Sequence, residues 1–230
     1  MQSSYCAENT VISVVGSFDE KKLLEKAEQY FGNINKSHPG KSPFGTPVFS
    51  AGEISRIKPI EQSHIAIAYP SYRYTDENVY AMSLASNILG GSMSSRLFQN
   101  IREKEGLCYS VYSYPTCYSD TGNVTLYAGC AKENTDTVRS MMQQEVENLK
   151  NFTHEEFIRS KNQLKGSYIL SNESISGKMS VYGKQLLLYG EITDDTALLA
   201  KIDKITEDDV KEALKLLDNS FCTVSSVIPE

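Results

Sequence analysis

Two strand-like runs, Cys108–Cys117 and Asn123–Cys130, flank the pentapeptide YSDTG. Asp and Gly between two strands suit a tight reversal. The spacing predicts a β-hairpin, so the fold needs an antiparallel sheet with an apolar face to cover. The cover follows it. From Glu133 onward the pattern turns helical. TDTVRSMMQQEVENLKNF reads as one helix, and Thr153 with Glu156 forms a capping box for the next, through EEFIRSKNQLKGSYILS. ISGKMSVYGKQLLLYG and TEDDVKEALKLLD give two more helices, and SFCTVSSVI closes as a strand.

Ahead of the hairpin, NTVISVVGSF (Asn9–Phe18) reads as a short, β-branched, buried strand. Asp19 then caps a helix whose Leu23, Leu24, Ala27, Tyr30 and Phe31 fall at helical spacing. Residues Gly32–Glu53 mix Gly, Pro and Ser without a period and read as a linker. Ser63–Ser71 begins a second unit as a strand. TDENVYAMSLASNILGG reads as a helix with Thr75 as N-cap and Gly90 or Gly91 as a left-handed stop. Met93, Leu97, Phe98 and Ile101 mark one face of a short helix ending near Glu105–Gly106. The expected fold class is α+β, an antiparallel sheet with several helices packed on one face.

Composition narrows the function classes. Apolar residues make up 40% and charged residues 23% of the chain, as in ordinary globular proteins. A net charge of −6 argues against nucleic acid as a partner, because phosphate-binding surfaces need an excess of Lys and Arg. No apolar run approaches the roughly eighteen residues of a membrane span, and the N-terminus lacks a basic start and an apolar core, so no secretory signal is expected. Five cysteines, an odd count without a Cys-x-x-Cys pair, suit a reduced, cytoplasmic setting.

The stretch LGGSMSSRLFQNIREKEGLCYSVYSY (Leu89–Tyr114) holds the features that invite a chemical reading. Its glycine pair is not followed by Lys-Ser/Thr and comes after a helix, so neither a P-loop nor a dinucleotide loop fits. GGSMSS lacks the second glycine of a nucleophile elbow, which weakens a hydrolase using Ser92, Ser94 or Ser95. Of the three histidines, His38 lies in the linker and His64 in an apolar strand. His154 opens HEEFI, which fails H-E-x-x-H at Ile158, and H-x-x-E-H fails at all three. That leaves Arg102 and Tyr109, seven residues apart with Gly106 as the break between helix and strand. They could offer a guanidinium fork and a phenol to a peptide carbonyl. Equally, a cation at a helix C-terminus complements the helix dipole and a strand tyrosine simply packs. The residues alone leave both open.

Leu89–Tyr114 resembles the signature of the non-catalytic C-terminal domain of the insulinase / pitrilysin / mitochondrial processing peptidase family. The matching residues are Gly90, Gly91, Ser95, Arg96, Leu97, Arg102, Glu103, Gly106, Leu107, Tyr109, Ser110 and Val111. VVGSFDEKKLLEKAEQYFG looks like the closing strand and helix of the catalytic domain. EQSHIAIAYPSY and THEEFIRSKNQLKGSYILSNES look like the opening strand and long helix of the second domain. The resemblance implies a division into residues 1–50, the tail of a catalytic domain plus linker, and 51–230, the non-catalytic domain. It implies that family members cleave unfolded peptides with a zinc held by H-x-x-E-H in another domain. Arg102 and Tyr109 would then hold substrate, and no catalytic or metal-binding residue is assigned to this chain. Alone it is expected to be inactive, with zinc belonging to the intact family enzyme. Two arrangements compete: a fragment of a longer peptidase, or a free-standing non-catalytic subunit paired with a catalytic partner. A strand at Asn9–Phe18 belonging to a missing sheet would expose an unpaired edge and promote self-association.

Overall fold

The computed structural model describes residues 6–34, 45 and 47–230. In chain order its longer elements are α1 (Glu20–Phe31), β1 (Gly52–Lys58), β2 (Ser63–Ser71), α2 (Val79–Gly90), a π-helical segment (Phe98–Lys104), β3 (Cys108–Cys117) and β4 (Gly122–Cys130). They continue as α3 (Thr135–Leu149), α4 (His154–Glu173), α5 (Ile175–Tyr189), α6 (Asp195–Lys204), α7 (Glu207–Leu214) and β5 (Thr223–Pro229). The chain divides into two compact units, Met1–Gly45 with Lys165–Leu199, and Thr46–Leu164 with Ala200–Glu230.

The second of these contains a five-stranded sheet of order β1-β5-β2-β4-β3 among the described residues. β2 pairs antiparallel with β4 and β5, and β3 with β4. β1 runs parallel to β5, so the expected α+β class holds but the sheet is mixed rather than purely antiparallel. Period-two alternation sends Ile65, Ile67 and Tyr69 of β2 and Val124, Leu126 and Ala128 of β4 to one face. There they join Met82, Leu84 and Leu89 of α2, Val138, Met142 and Val146 of α3, and Val210 and Leu214 of α7 in one core. Each fully buried Ile or Leu contributes roughly 1.5–3 kcal/mol. The Tyr69 hydroxyl, which enters the core, is matched. It donates to Asn219 Oδ1 at 2.6 Å, and Asn219 Nδ2 donates to Gln143 O at 3.0 Å.

The hairpin falls where its turn residues place it, while several other expectations need correction. β1 and α6 were not anticipated. All seven β1 residues are exposed, and the strand is held by its ladder with β5 and by the Arg139 fork on Glu53. α2 begins at Val79 instead of after Thr75. Asp76 accepts a hydrogen bond from Asn78 N at 2.9 Å, and the turn this closes delays the helix. No left-handed stop ends α2: Gly91 has φ −85°, and among the described residues positive φ occurs at Gly16 (146°), Gly106 (64°) and Gly190 (77°).

In the other unit, the expected strand at Asn9–Phe18 makes no ladder among the described residues. Nor is it buried throughout: Val11, Ser13 and Val15 are half-buried, while Ile12, Val14 and Phe18 are exposed. It lies along α5, where the Ser13 hydroxyl donates to Met179 O at 2.8 Å and Gly183 leaves room for the Ser13 side chain. α1 is capped by Asp19 as expected, through Lys22 N at 3.1 Å. Most of the expected linker, with His38, lies outside the described residues.

Candidate functional site

The residues of Leu89–Tyr114 fall into two groups, one that fastens the fold and one that faces outward. Gly90 belongs to the first. A Cβ there would sit 2.4 Å from Ser113 N and 2.9 Å from Tyr112 C, so the end of α2 lies directly against the backbone of β3. One turn earlier, the Ser113 hydroxyl donates to Ser86 O at 2.7 Å and the two serine hydroxyls lie 2.8 Å apart. Ser95 is buried, and its hydroxyl donates to Ser92 O at 2.5 Å. That bond shapes the turn into the π-helical segment. Leu97 and Ile101 are fully buried in the core.

Arg96 fastens three elements at once. Its Nε and Nη2 fork onto Glu156 at 2.7 and 2.8 Å, and its Nη1 donates to Asn148 O at 2.6 Å. Nη2 also reaches Asn151 O at 3.3 Å. Glu156 in turn accepts from Thr153 N at 2.7 Å, while Glu156 N donates to Thr153 Oγ1 at 3.2 Å. This is the capping box expected at Thr153, with an arginine clamped on it. The hydrogen-bonded guanidinium holds the Glu156 carboxyl down to about 2, against the opposing effect of burial. The sequence marks Arg96 only as a residue of the family signature. The cleft beside it, about 690 Å³ and lined by Asn100, Glu145, Asn148 and Glu156 among others, contains neither Arg102 nor Tyr109.

Arg102 and Tyr109 face outward, and the fold brings them together. The π-helical segment ends at Lys104, and Gly106, with φ +64°, takes the left-handed turn that sends the chain into β3. The β3–β4 register then steps from Cys108↔Cys130 to Ser110↔Gly129, leaving Tyr109 as the extra residue of a β-bulge. A bulge re-aims a side chain, and Tyr109 is 77% exposed at the edge of the sheet. The Arg102 guanidinium carbon lies 5.3 Å from the Tyr109 ring centroid and 4.7 Å from that of Phe98. A cation held between two aromatic rings is fixed in place without hydrogen bonds. Among the described residues Arg102 makes no ion pair and no hydrogen bond, so its donors remain available.

Phe98 is the partner that sequence reasoning missed. Helical spacing puts Met93, Leu97, Phe98 and Ile101 on one face, but Leu97 and Ile101 are buried while Met93 is 76% exposed and Phe98 is half-buried under Arg102. The wider π-turn shifts the faces of the segment away from ordinary helical spacing. Further along β3, Tyr112 stacks on Tyr127 at 5.0 Å between centroids, and Tyr114 lies 5.9 Å from Tyr112. The outer face of the hairpin therefore continues the aromatic surface begun by Tyr109.

Neither described histidine offers a hydrolytic centre. His64 Nδ1 lies 2.6 Å from the Tyr127 hydroxyl, and His154 Nδ1 lies 2.6 Å from Glu207. Among the described residues no group of three or more His, Cys, Asp or Glu side chains is placed to hold a metal ion. The described residues do not fit a zinc site.

Comparison with known proteins identifies the family. Residues 1–164 match the family model described as the peptidase M16 inactive domain. The chain belongs to the peptidase M16 family. An uncharacterized zinc protease, YmxG of Bacillus subtilis (strain 168), is 37% identical over 194 residues, covering 83% of this chain and 47% of that protein. The M16 chain thus spans about half the length of the curated relatives it matches. The crystal structure of a peptidase M16 inactive domain from Pseudomonas fluorescens superposes with a TM-score of 0.85 at 24% identity, over 98% of this chain and 55% of that one. A chain of Complex III2 from Candida albicans has the same fold, with a TM-score of 0.75 at 24% identity over 93% of this chain and 53% of its own length.

Proposed function

We propose that this M16 domain holds unfolded peptides for cleavage by a zinc peptidase domain that is not among these residues. The observation that carries the reading is the Arg102 guanidinium, held between Phe98 and Tyr109 at an exposed bulge with its donors free. A peptide carbonyl or carboxylate would accept from the Arg102 fork, and the Tyr109 phenol would offer a second hydrogen bond. β3 is an edge strand, so its outer backbone groups could pair with an extended peptide, while Pro115 removes one donor from that edge. Hydrolysis, with its zinc, belongs to the catalytic partner, and the chain alone is expected to leave peptides intact. The name zinc protease carried by its relatives supports this reading. A cytoplasmic setting and self-association through exposed Ile12, Val14 and Phe18 are part of the same proposal.

Arg102→Ala in the natural protein is expected to lower kcat/KM on an unstructured peptide by about tenfold, the loss of one charge-assisted contact. Its melting temperature should stay within about 2 °C, because Arg102 lies outside the core. Unchanged turnover would defeat the role of Arg102.

The alternative is a free-standing, non-catalytic subunit that pairs with a catalytic partner, favoured by the occurrence of this fold in a chain of Complex III2. An immunoblot of source-cell extract separates the two. A band well above 25.6 kDa means a longer peptidase, and a band at that mass means a subunit.

A further inference from the structure

Cys108 and Cys130 stand directly opposite each other where β3 and β4 pair. Residues so placed in an antiparallel ladder have Cα atoms roughly 4.5–5.5 Å apart, inside the range of roughly 4.4–6.8 Å that a disulfide spans. Both side chains belong to the core and both thiols are free. No other cysteine pair is so placed in the described ladders. Cys117 faces Gly122, and the Cys222 thiol is directed at Asn219 O, 3.4 Å away.

We propose that Cys108 and Cys130 are a modification site, a thiol pair that peroxide converts to a cross-strand disulfide. Cys108 reacts first. It is the first residue of the edge strand β3, next to the bulge and 8% exposed, whereas Cys130 ends the interior strand β4 and is 3% exposed. Burial disfavours its thiolate, and the Arg102 charge offsets only part of that. The Cys108 thiolate attacks one peroxide oxygen, the O–O bond breaks, and hydroxide leaves, giving a sulfenic acid. The Cys130 thiolate then attacks that sulfur, the S–O bond breaks, and a second hydroxide leaves. With the two thiol protons the products are one disulfide and two waters. The two sulfurs together lose two electrons and the peroxide gains them.

The bridge would tie the residue preceding Tyr109 to β4 and so restrain the bulge that aims Tyr109 at Arg102. This consequence rests on the peptide-holding reading, while the bridge itself does not. Burial pushes both thiols up, Cys108 to about 11, so oxidation at neutral pH should be slow. Because the thiolate is the nucleophile, the rate should rise about tenfold per pH unit from pH 7 to pH 9.

The test treats the 230-residue chain with hydrogen peroxide, blocks remaining thiols under denaturing conditions, and maps peptides by mass. The expected product has two fewer blocked cysteines and a linked peptide joining Cys108 to Cys130. Cys130→Ser should abolish the link and Cys222→Ser should retain it. Sulfinic or sulfonic acid at Cys108 without a link, or a link to another cysteine, overturns the pair. A labelled unstructured peptide titrated into reduced and oxidised chain reads the functional consequence separately. A formed bridge with unaltered peptide affinity would defeat the coupling to Tyr109 and leave the bridge standing.

Discussion

Arg96→Ala should destabilise the sheet-bearing unit by about 3 kcal/mol, a melting-temperature loss of roughly 6–12 °C. Arg96 and Glu156 have side chains only 16% and 15% exposed, so removing the guanidinium strands a carboxylate with little access to water. It also removes one donor each from Asn148 O and Asn151 O, the carbonyls at the α3–α4 connection. The same contact predicts a pH dependence. The Glu156 carboxyl is depressed from 4.5 to about 2 in the folded chain, so its stabilisation is fully present above the unfolded value. It is lost as pH falls from about 4.5 through about 2. Denaturant midpoints measured down this range should fall faster in wild type than in Glu156→Gln, which has no carboxylate to protonate. Parallel slopes would show that the clamp is not what acid breaks.

Gly90→Ala is expected to cost about 2–3 kcal/mol, although alanine normally favours a helix. The added methyl would meet Ser113 N and Tyr112 C, which are backbone atoms of β3, so α2 must move off the strand. Gly166→Ala is the opposite case. Within α4 a Cβ at Gly166 meets nothing within 4 Å, and the substitution should stabilise by about 0.5–1 kcal/mol. Thermal melts of the two variants should move in opposite directions. A Gly90→Ala variant melting at or above wild type would remove the close-approach account of the glycine.

What could be read in advance follows from which forces leave a mark on residue order. The strands Ser63–Ser71 and Cys108–Cys117 have the bounds expected of them, the first marked by apolar alternation and the second by the turn residues that follow it. β1 left no such mark. Its residues are all exposed and main-chain pairing holds it, which apolar patterning does not record. Asn9–Phe18 erred in the other direction: β-branched residues gave it strand character, but no neighbouring strand takes up its backbone among the described residues. At the candidate site, Gly106 between Arg102 and Tyr109 signalled a turn that folds one towards the other. The bulge and the π-turn, which aim Tyr109 and bring in Phe98, depend on ladder register and helix pitch, and these are settled only by tertiary packing.

The parallel pairing of β1 with β5 bears on how the domain is made. Gly52 is in register with Thr223, about 170 residues later, and β5 lies between β1 and β2 as an interior strand. During synthesis the β2–β4–β3 hairpin sheet can assemble early, from neighbours close in the chain. β1, although translated first, has no place in the sheet until β5 arrives to separate it from β2. Such a distant closure carries a large loop entropy and slows the final step. In the interval β2 presents a bare inner edge, with His64–Ala68 unpaired on the side that β5 later covers. A nascent or truncated chain is therefore most prone to mispairing at β2, a strand that the finished fold hides in the middle of its sheet.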